Sequence, residues 1–243
     1  MTPSTTNPTL ILIPGHWLGA WAWEDVNAEL AAAGNRGIAL TLPGLDPTDA
    51  DRTRRTLDDQ FHAILHAVRD SAQPVVLVAH SGANGPVTLM LDRHPELVHR
   101  VIWVDSGPIA SGTAFAADYP EEAGPLALPP FEELGQQASL AGLDAHALAR
   151  FRARAVAQPT GVLRERVELS NTARFDVPTT FVCTSLLSAQ VQEMAHANHP
   201  MFAEVTRFKD VTYVDLETGH WPMWSRPAEL AGIILSAATR QSS

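Results

Sequence analysis

Pro74-Val75-Val76-Leu77-Val78-Ala79-His80-Ser81-Gly82-Ala83-Asn84-Gly85 decides how this chain folds. Four apolar residues, three of them Val, lead into Ala79, the pattern of a strand buried on both faces. The run stops at His80-Ser81-Gly82, and Val87, Leu89, Met90 and Leu91 then follow in a helical pattern. Ser81 therefore falls on a sharp strand-to-helix turn, which lifts its hydroxyl to the carboxyl edge of the sheet and aims a helix N-terminus at it. Ala79 and Ala83 stand where the pattern Gly-x-Ser-x-Gly has glycine, and Gly82 follows the serine directly.

Toward the N-terminus, Thr9 to Ile13 reads as a first buried strand, broken by Pro14-Gly15 ahead of His16-Trp17-Leu18-Gly19-Ala20-Trp21-Ala22-Trp23. Trp23 to Ala33 is expected to be helical, with Val26, Leu30 and Ala31 on one face. Gly37 to Leu42 is a second strand, Asp46 to Arg55 a polar loop, and Leu57 to Val68 a helix with Phe61, Ile64 and Leu65 on its apolar side. Beyond the central stretch, His99 to Val104 is a further buried strand ending in Asp105. Strands and helices alternating at this rhythm predict an α/β fold, a mostly parallel sheet flanked by helices, with its ligand site beyond the carboxyl ends of the strands.

The rhythm breaks between about 109 and 174. This stretch has no strand pattern, a Pro/Gly/Ala-rich piece at 123–130, and helical patterns at Phe131–Ala141, Asp144–Ala157 and Gly161–Leu169. It is expected to be a helical cap inserted into a single domain spanning 1–243. The alternation resumes with a strand at Pro178–Thr184, a helix at Gln190–Ala197 and a strand at Val211–Leu216. The loop Glu217-Thr218-Gly219-His220-Trp221-Pro222 comes next, and Ser225-Arg226-Pro227 caps a final helix.

The chain has 243 residues, 45% of them apolar and 18% charged, as expected of a folded globular protein. Its 17 basic and 27 acidic residues give a formal net charge of −10, which argues against nucleic acid and anionic membranes as partners. Met1 to Pro8 lacks a charged leader and Leu10–Ile13 is too short for a signal segment, so a cytoplasmic location is the expectation. The single Cys183 lies in an apolar run and reads as a buried thiol. No phosphate-binding glycine loop and no His/Cys cluster of metal spacing occurs, so no cofactor and no metal are expected. The expected partner is a small-molecule substrate, and the expected state a monomer or homodimer.

A serine hydroxyl needs a base, and His220, at the end of the last strand, is the histidine placed to serve. His62, His66, His94 and His99 fall on or beside helices, and His146, His196 and His199 in helical or loop segments, where solvated or structural roles fit better. The elbow at Ser81, the turn Pro14-Gly15-His16 with Gly19-Ala20-Trp21-Ala22-Trp23, and Gly219-His220-Trp221-Pro222 together resemble the α/β-hydrolase superfamily. They resemble most its small cofactor-free branch of plant methylesterases, hydroxynitrile lyases and bacterial relatives. The resemblance covers essentially the whole chain, in the order Ser, acid, His. Those relatives read His-Gly where this chain has Pro14-Gly15. The resemblance implies a serine hydrolase acting on a carboxylic ester or lactone, with an oxyanion hole made by the backbone N–H groups of His16 and Gly82, both of which follow strand ends on one edge.

The acid departs from the pattern. The family places an Asp after the strand that here reads Phe181-Val182-Cys183-Thr184, but Ser185-Leu186-Leu187-Ser188 contains no carboxylate. Asp105 is the natural substitute; Glu217 can also reach His220, and Asp215 is a weaker choice. Lyases of the branch use a Lys shortly after the His, where this chain has Trp221, Pro222 and Met223. A lyase- or cyclase-type step on the same site and a non-catalytic ligand-binding role are the rival readings, and retention of both Ser81 and His220 speaks against a pure binder. Trp17, His80 and Trp221 are the candidate substrate-binding residues, with Trp21, Phe115, Phe131 and Trp224 as further aromatic lining.

Overall fold

A computed structural model describes residues 7–240. The reading of Met1–Pro8 as no signal segment therefore falls almost wholly outside the described residues. Six strands, β1 (Thr9–Ile13), β2 (Gly37–Ala39), β3 (Val75–His80), β4 (Arg100–Val104), β5 (Thr179–Cys183) and β6 (Val211–Asp215), form one sheet. The order is β2-β1-β3-β4-β5-β6 and every pairing is parallel. Among the described residues, nine α-helices accompany them: α1 (Glu24–Ala32), α2 (Leu57–Arg69), α3 (Asn84–Arg93), α4 (Phe131–Gln137), α5 (Ala145–Arg154), α6 (Thr160–Arg164), α7 (Ser188–His196), α8 (Pro222–Ser225) and α9 (Pro227–Ala238).

Every residue of β3 is buried, because the strand is central and covered on both faces. Its side chains alternate between two cores. Leu77 and Ala79 pack with Phe61 and Ile64 of α2, Val87 of α3 and Val191 of α7. Val76 and Val78 pack with Val26 and Leu30 of α1 and Leu230 and Ile234 of α9. The period-2 alternation of a strand thus supplies both layers at once. Strand order reverses between β1 and β3, which opens a crevice beyond their carboxyl ends.

The predicted strands and helices are present, with shorter bounds in places. β2 stops at Ala39 rather than Leu42: the Thr41 hydroxyl turns aside to accept from Ala20 N at 2.9 Å, and Pro43 offers no N–H. The polar loop after β2 contains a 3-10 turn at Arg52–Arg54. The helix expected over Gly161–Leu169 ends at Arg164. The chain then runs extended, and Glu165 accepts from Leu57 N at 2.8 Å at the start of α2, where Thr56 and Asp59 already form a capping box. Ser225 does not cap α9. Its hydroxyl bonds Thr218 Oγ1 and the Trp221 carbonyl, and Pro227 opens the helix. Among the described residues, no helix is long and apolar enough to cross a membrane.

Segment 109–174 lies against the carboxyl edge of the sheet. Its Leu126 carbonyl accepts from Trp17 Nε1 at 3.0 Å, and Val156 N donates to the Trp17 carbonyl at 3.0 Å. Its Ser139 and Ala141 carbonyls accept from His220 N at 2.7 Å and Gly219 N at 3.1 Å. Phe151 is fully buried and packs against Trp221 and Trp224.

Candidate active site

Among the strands that lead to the site, three are followed by a residue with strained backbone. Trp17 after β1, Ser81 after β3 and Asp105 after β4 have φ of 65°, 51° and 44°. They are three of the four non-glycine residues with positive φ among the described residues. Such conformations cost about 1–3 kcal/mol each and persist where the surroundings over-determine them. At Ser81 the reversal is what lets a strand feed α3 with the hydroxyl outside the turn, and Ser106 Oγ holds the Ser81 carbonyl at 2.7 Å. Gly15 is required beside it: a Cβ there would stand 2.7 Å from Ser81 Cβ and 3.1 Å from Gly82 N. The turn after β1 thereby lies directly against the backbone that follows Ser81.

His220, in the loop after β6, joins two of these residues. Its Nδ1 lies 2.5 Å from Asp105 Oδ2 and its Nε2 lies 2.7 Å from Ser81 Oγ. An ionised carboxylate only accepts, so Nδ1 carries the proton and Nε2 presents its lone pair to the serine hydroxyl. The backbone of His220 is held from both sides. Ser139 of segment 109–174 accepts from its N–H, and His80 Nε2–H donates to its carbonyl at 2.7 Å.

Asp105 is buried, its side chain 7% exposed. It accepts from His220 and from three donors of the loop after β5: Thr184 N at 3.3 Å, Ser185 N at 3.0 Å and Ser185 Oγ at 2.6 Å. Burial is the largest single influence on its carboxyl and favours the protonated form. The hydrogen bonds from His220 and Ser185, with the His220 charge, outweigh it and hold the group well below the usual carboxylate range. Glu217 is exposed, and the ring hydrogen bonds of His220 go to Asp105 and Ser81 instead, while Asp215 is engaged by Ser188 N at 2.7 Å and Ser188 Oγ at 2.8 Å, at the start of α7.

The remaining site candidates surround this chain of contacts. His16 is 7% exposed, and its ring lies over Gly82. Burial, and next the nearby His220, push it down to about 4. His80 is 1% exposed, and burial followed by His220 lowers it to about 3. Its Nδ1 has no hydrogen-bond partner among the described residues. The structure turns the His80 ring toward His220 rather than toward an open pocket. Trp221 is likewise interior, edge-on to His220 with centroids 4.8 Å apart. Trp17 is partly exposed, and its indole N–H is taken by Leu126. Trp21 stacks on Trp224, and Phe115 is 58% exposed beside His16. Cys183 is buried, and desolvation pushes its thiol up to about 12. Among the described residues, no group of three or more His, Cys, Asp or Glu could hold a metal ion.

Sequence reasoning does not find Ser185, Ser139 or the positioning contact of His80. Ser185 has a signal: it opens the loop that lacks the expected carboxylate. Ser139 has none, because its role is a backbone carbonyl.

Known proteins share this arrangement of strands. An extracellular alpha/beta-hydrolase from a Paenibacillus species superposes with a TM-score of 0.74 at 17% identity, covering 96% of this chain and 100% of that one. The methylesterase MES16 from Arabidopsis gives 0.72 at 16% identity, over 95% and 99% of the two chains. In sequence, Esterase PIR7B of Oryza sativa subsp. japonica is 35% identical over 106 residues, 42% of this chain and 39% of that protein. Putative methylesterase 12, chloroplastic, of Arabidopsis thaliana is 26% identical over 106 residues, 42% and 30% of the two. The matched stretches span well under half the length of these curated relatives. The sequence model of the alpha/beta hydrolase family matches over residues 10–233, and the chain belongs to that family.

Proposed function

We propose that the protein is a serine hydrolase of carboxylic esters or lactones with a hydrophobic part, with segment 109–174 as the cap over its site. The observation that carries this reading is the continuous contact Asp105–His220–Ser81, at 2.5 Å and 2.7 Å, at the carboxyl edge of the sheet. His220 Nε2 takes the Ser81 proton as Oγ attacks the carbonyl carbon. Asp105 fixes the imidazole tautomer and stabilises the imidazolium. The backbone N–H groups of His16 and Gly82 hold the oxyanion, a contribution of about 3–4 kcal/mol per donor where such donors have been removed. His220 returns the proton to the departing alcohol, the acyl group stays on Ser81 Oγ, and water cleaves it by the same steps in reverse. Relatives named esterase and methylesterase support this class of reaction; the substrate follows from the cap and the pocket wall rather than from the fold.

The test is hydrolysis of p-nitrophenyl acetate and butyrate by wild type and Ser81→Ala, with mass spectrometry of the acyl adduct. Turnover by wild type, loss in Ser81→Ala by at least about 10³-fold, and an acyl mass on the Ser81 peptide are the expected results. Turnover that survives in Ser81→Ala would remove the nucleophile and the reading with it.

A further inference from the structure

Position 16 belongs to the turn after β1, whose backbone lies beside Ser81, and it carries an imidazole. That ring can lie where it does only because residue 82 is glycine. A Cβ built on Gly82 collides with Cδ2, Nε2 and Cε1 of His16. The ring thus fills the space a side chain following the serine would occupy. Phe115 meets it edge-on with centroids 4.2 Å apart, and Trp17 at 5.9 Å.

Of the three histidines at the site, His80 and His220 have ring hydrogen bonds. The His16 ring makes none with the described residues. Neither ring nitrogen is among the fully buried unpartnered atoms, as His80 Nδ1 is, so the ring packs its carbons away while its nitrogens stay open to what enters the site. Burial and His220 keep it uncharged near neutral pH, so it offers one N–H donor and one lone-pair acceptor. The peptide N–H groups proposed to hold the substrate carbonyl oxygen belong to His16 itself and to the glycine beneath its ring. The ring therefore stands next to whatever the carbonyl carbon bears.

We infer that the His16 imidazole is a specificity-determining hydrogen-bond partner for a substrate oxygen one or two carbons from the scissile carbonyl. The substrate class is then an ester or lactone substituted there by a hydroxyl or oxo group, rather than a plain alkanoate. This rests on the ester-cleaving reading above and deepens it.

The test uses isosteric pairs that exchange hydroxyl for methyl: methyl lactate against methyl isobutyrate, and methyl 3-hydroxybutanoate against methyl 3-methylbutanoate. The readout is the kcat/KM ratio within each pair, so damage to the nucleophile or to the oxyanion donors cancels. Wild type is expected to favour the hydroxyl member of at least one pair by about tenfold or more, the worth of one good hydrogen bond that its isostere leaves unmade. His16→Phe keeps an aromatic ring without nitrogens and is expected to bring that ratio down at least about fivefold. Gly82→Ala, which leaves His16 in place but drives its ring aside, is expected to do the same. A wild-type ratio near one for both pairs, or a ratio unchanged in both variants, overturns the inference while the hydrolase reading stands. Absence of both turnover and a Ser81 adduct in wild type overturns the two together.

Discussion

Strands β4 and β5 lie side by side and end on the same edge, yet they end in opposite chemistries. β4 closes on a buried carboxylate, Asp105, whose N–H still pairs with Val182 O at 3.0 Å. β5 closes on donors: Thr184 N, Ser185 N and Ser185 Oγ all point at that carboxylate. The loop without an acid is therefore a cradle for one supplied by its neighbour. A base needs a carboxylate at a place in space, and adjacent parallel strands offer two chain positions from which one place can be reached. What fixes the choice is which strand end also receives hydrogen bonds, since an unsupported buried carboxylate would protonate.

The largest effect follows from removing the acid. Asp105→Asn keeps the shape but exchanges the acceptor, and kcat/KM on p-nitrophenyl butyrate is expected to fall about 10³- to 10⁴-fold. A fall under tenfold would mean that no carboxylate at this position serves His220. The two strand ends can next be exchanged. Asp105→Asn/Ser185→Asp places the carboxylate on the β5 side, and recovery of about tenfold or more over Asp105→Asn is expected if the two ends are equivalent routes to one point. No recovery would show that the strained backbone at Asp105 is part of what the site requires. Ser185→Ala removes one short hydrogen bond from the carboxylate. A loss of about fivefold in kcat/KM and about 1–2 kcal/mol in stability, read by denaturant unfolding, is expected. Glu217→Gln, on the exposed side of His220, is expected to change kcat/KM by less than about twofold.

Stability against pH sharpens the same contrast between buried and exposed groups. The folded-state values of His16 and His80, about 4 and about 3, lie below the ordinary histidine value of 6.5. The unfolded chain therefore binds protons first, and stability is full above about pH 6.5 and lost as pH falls toward 4 and then 3. Asp105, depressed as a carboxylate, adds its loss lower still. At 1.36 kcal/mol per unit, the His16 shift corresponds to roughly 3 kcal/mol. His16→Phe is expected to flatten the unfolding free energy between pH 6.5 and 4, and an unchanged slope would mean that the ring takes up a proton in the folded state as it does in water.

Much of this architecture is legible in the amino-acid sequence alone. The apolar run ending at Ser81 announces a buried strand because burial on two faces leaves only one kind of sequence. Asp105 can be placed because it closes such a run, whereas His220 follows the half-buried edge strand β6 and is placed by the strand–loop alternation alone. The bounds of β2 and α6 are not legible, since Thr41 and Glu165 are diverted by partners, Ala20 N and Leu57 N, that only the folded chain brings near. The same holds for Ser185 and His80, whose contribution is to hold another residue.

The grip of Ser139 and Ala141 on Gly219 and His220 has an evolutionary consequence. The segment that would shape the pocket is the same segment that seats His220, so the two are coupled. Exchange of residues 109–174 would therefore have to restore two backbone hydrogen bonds to 219–220 as well as reshape the pocket. A graft must preserve the backbone path that sets the carbonyls of 139 and 141 against 219–220, and it must keep Gly219, where a Cβ would stand 2.5 Å from the Ala141 carbonyl.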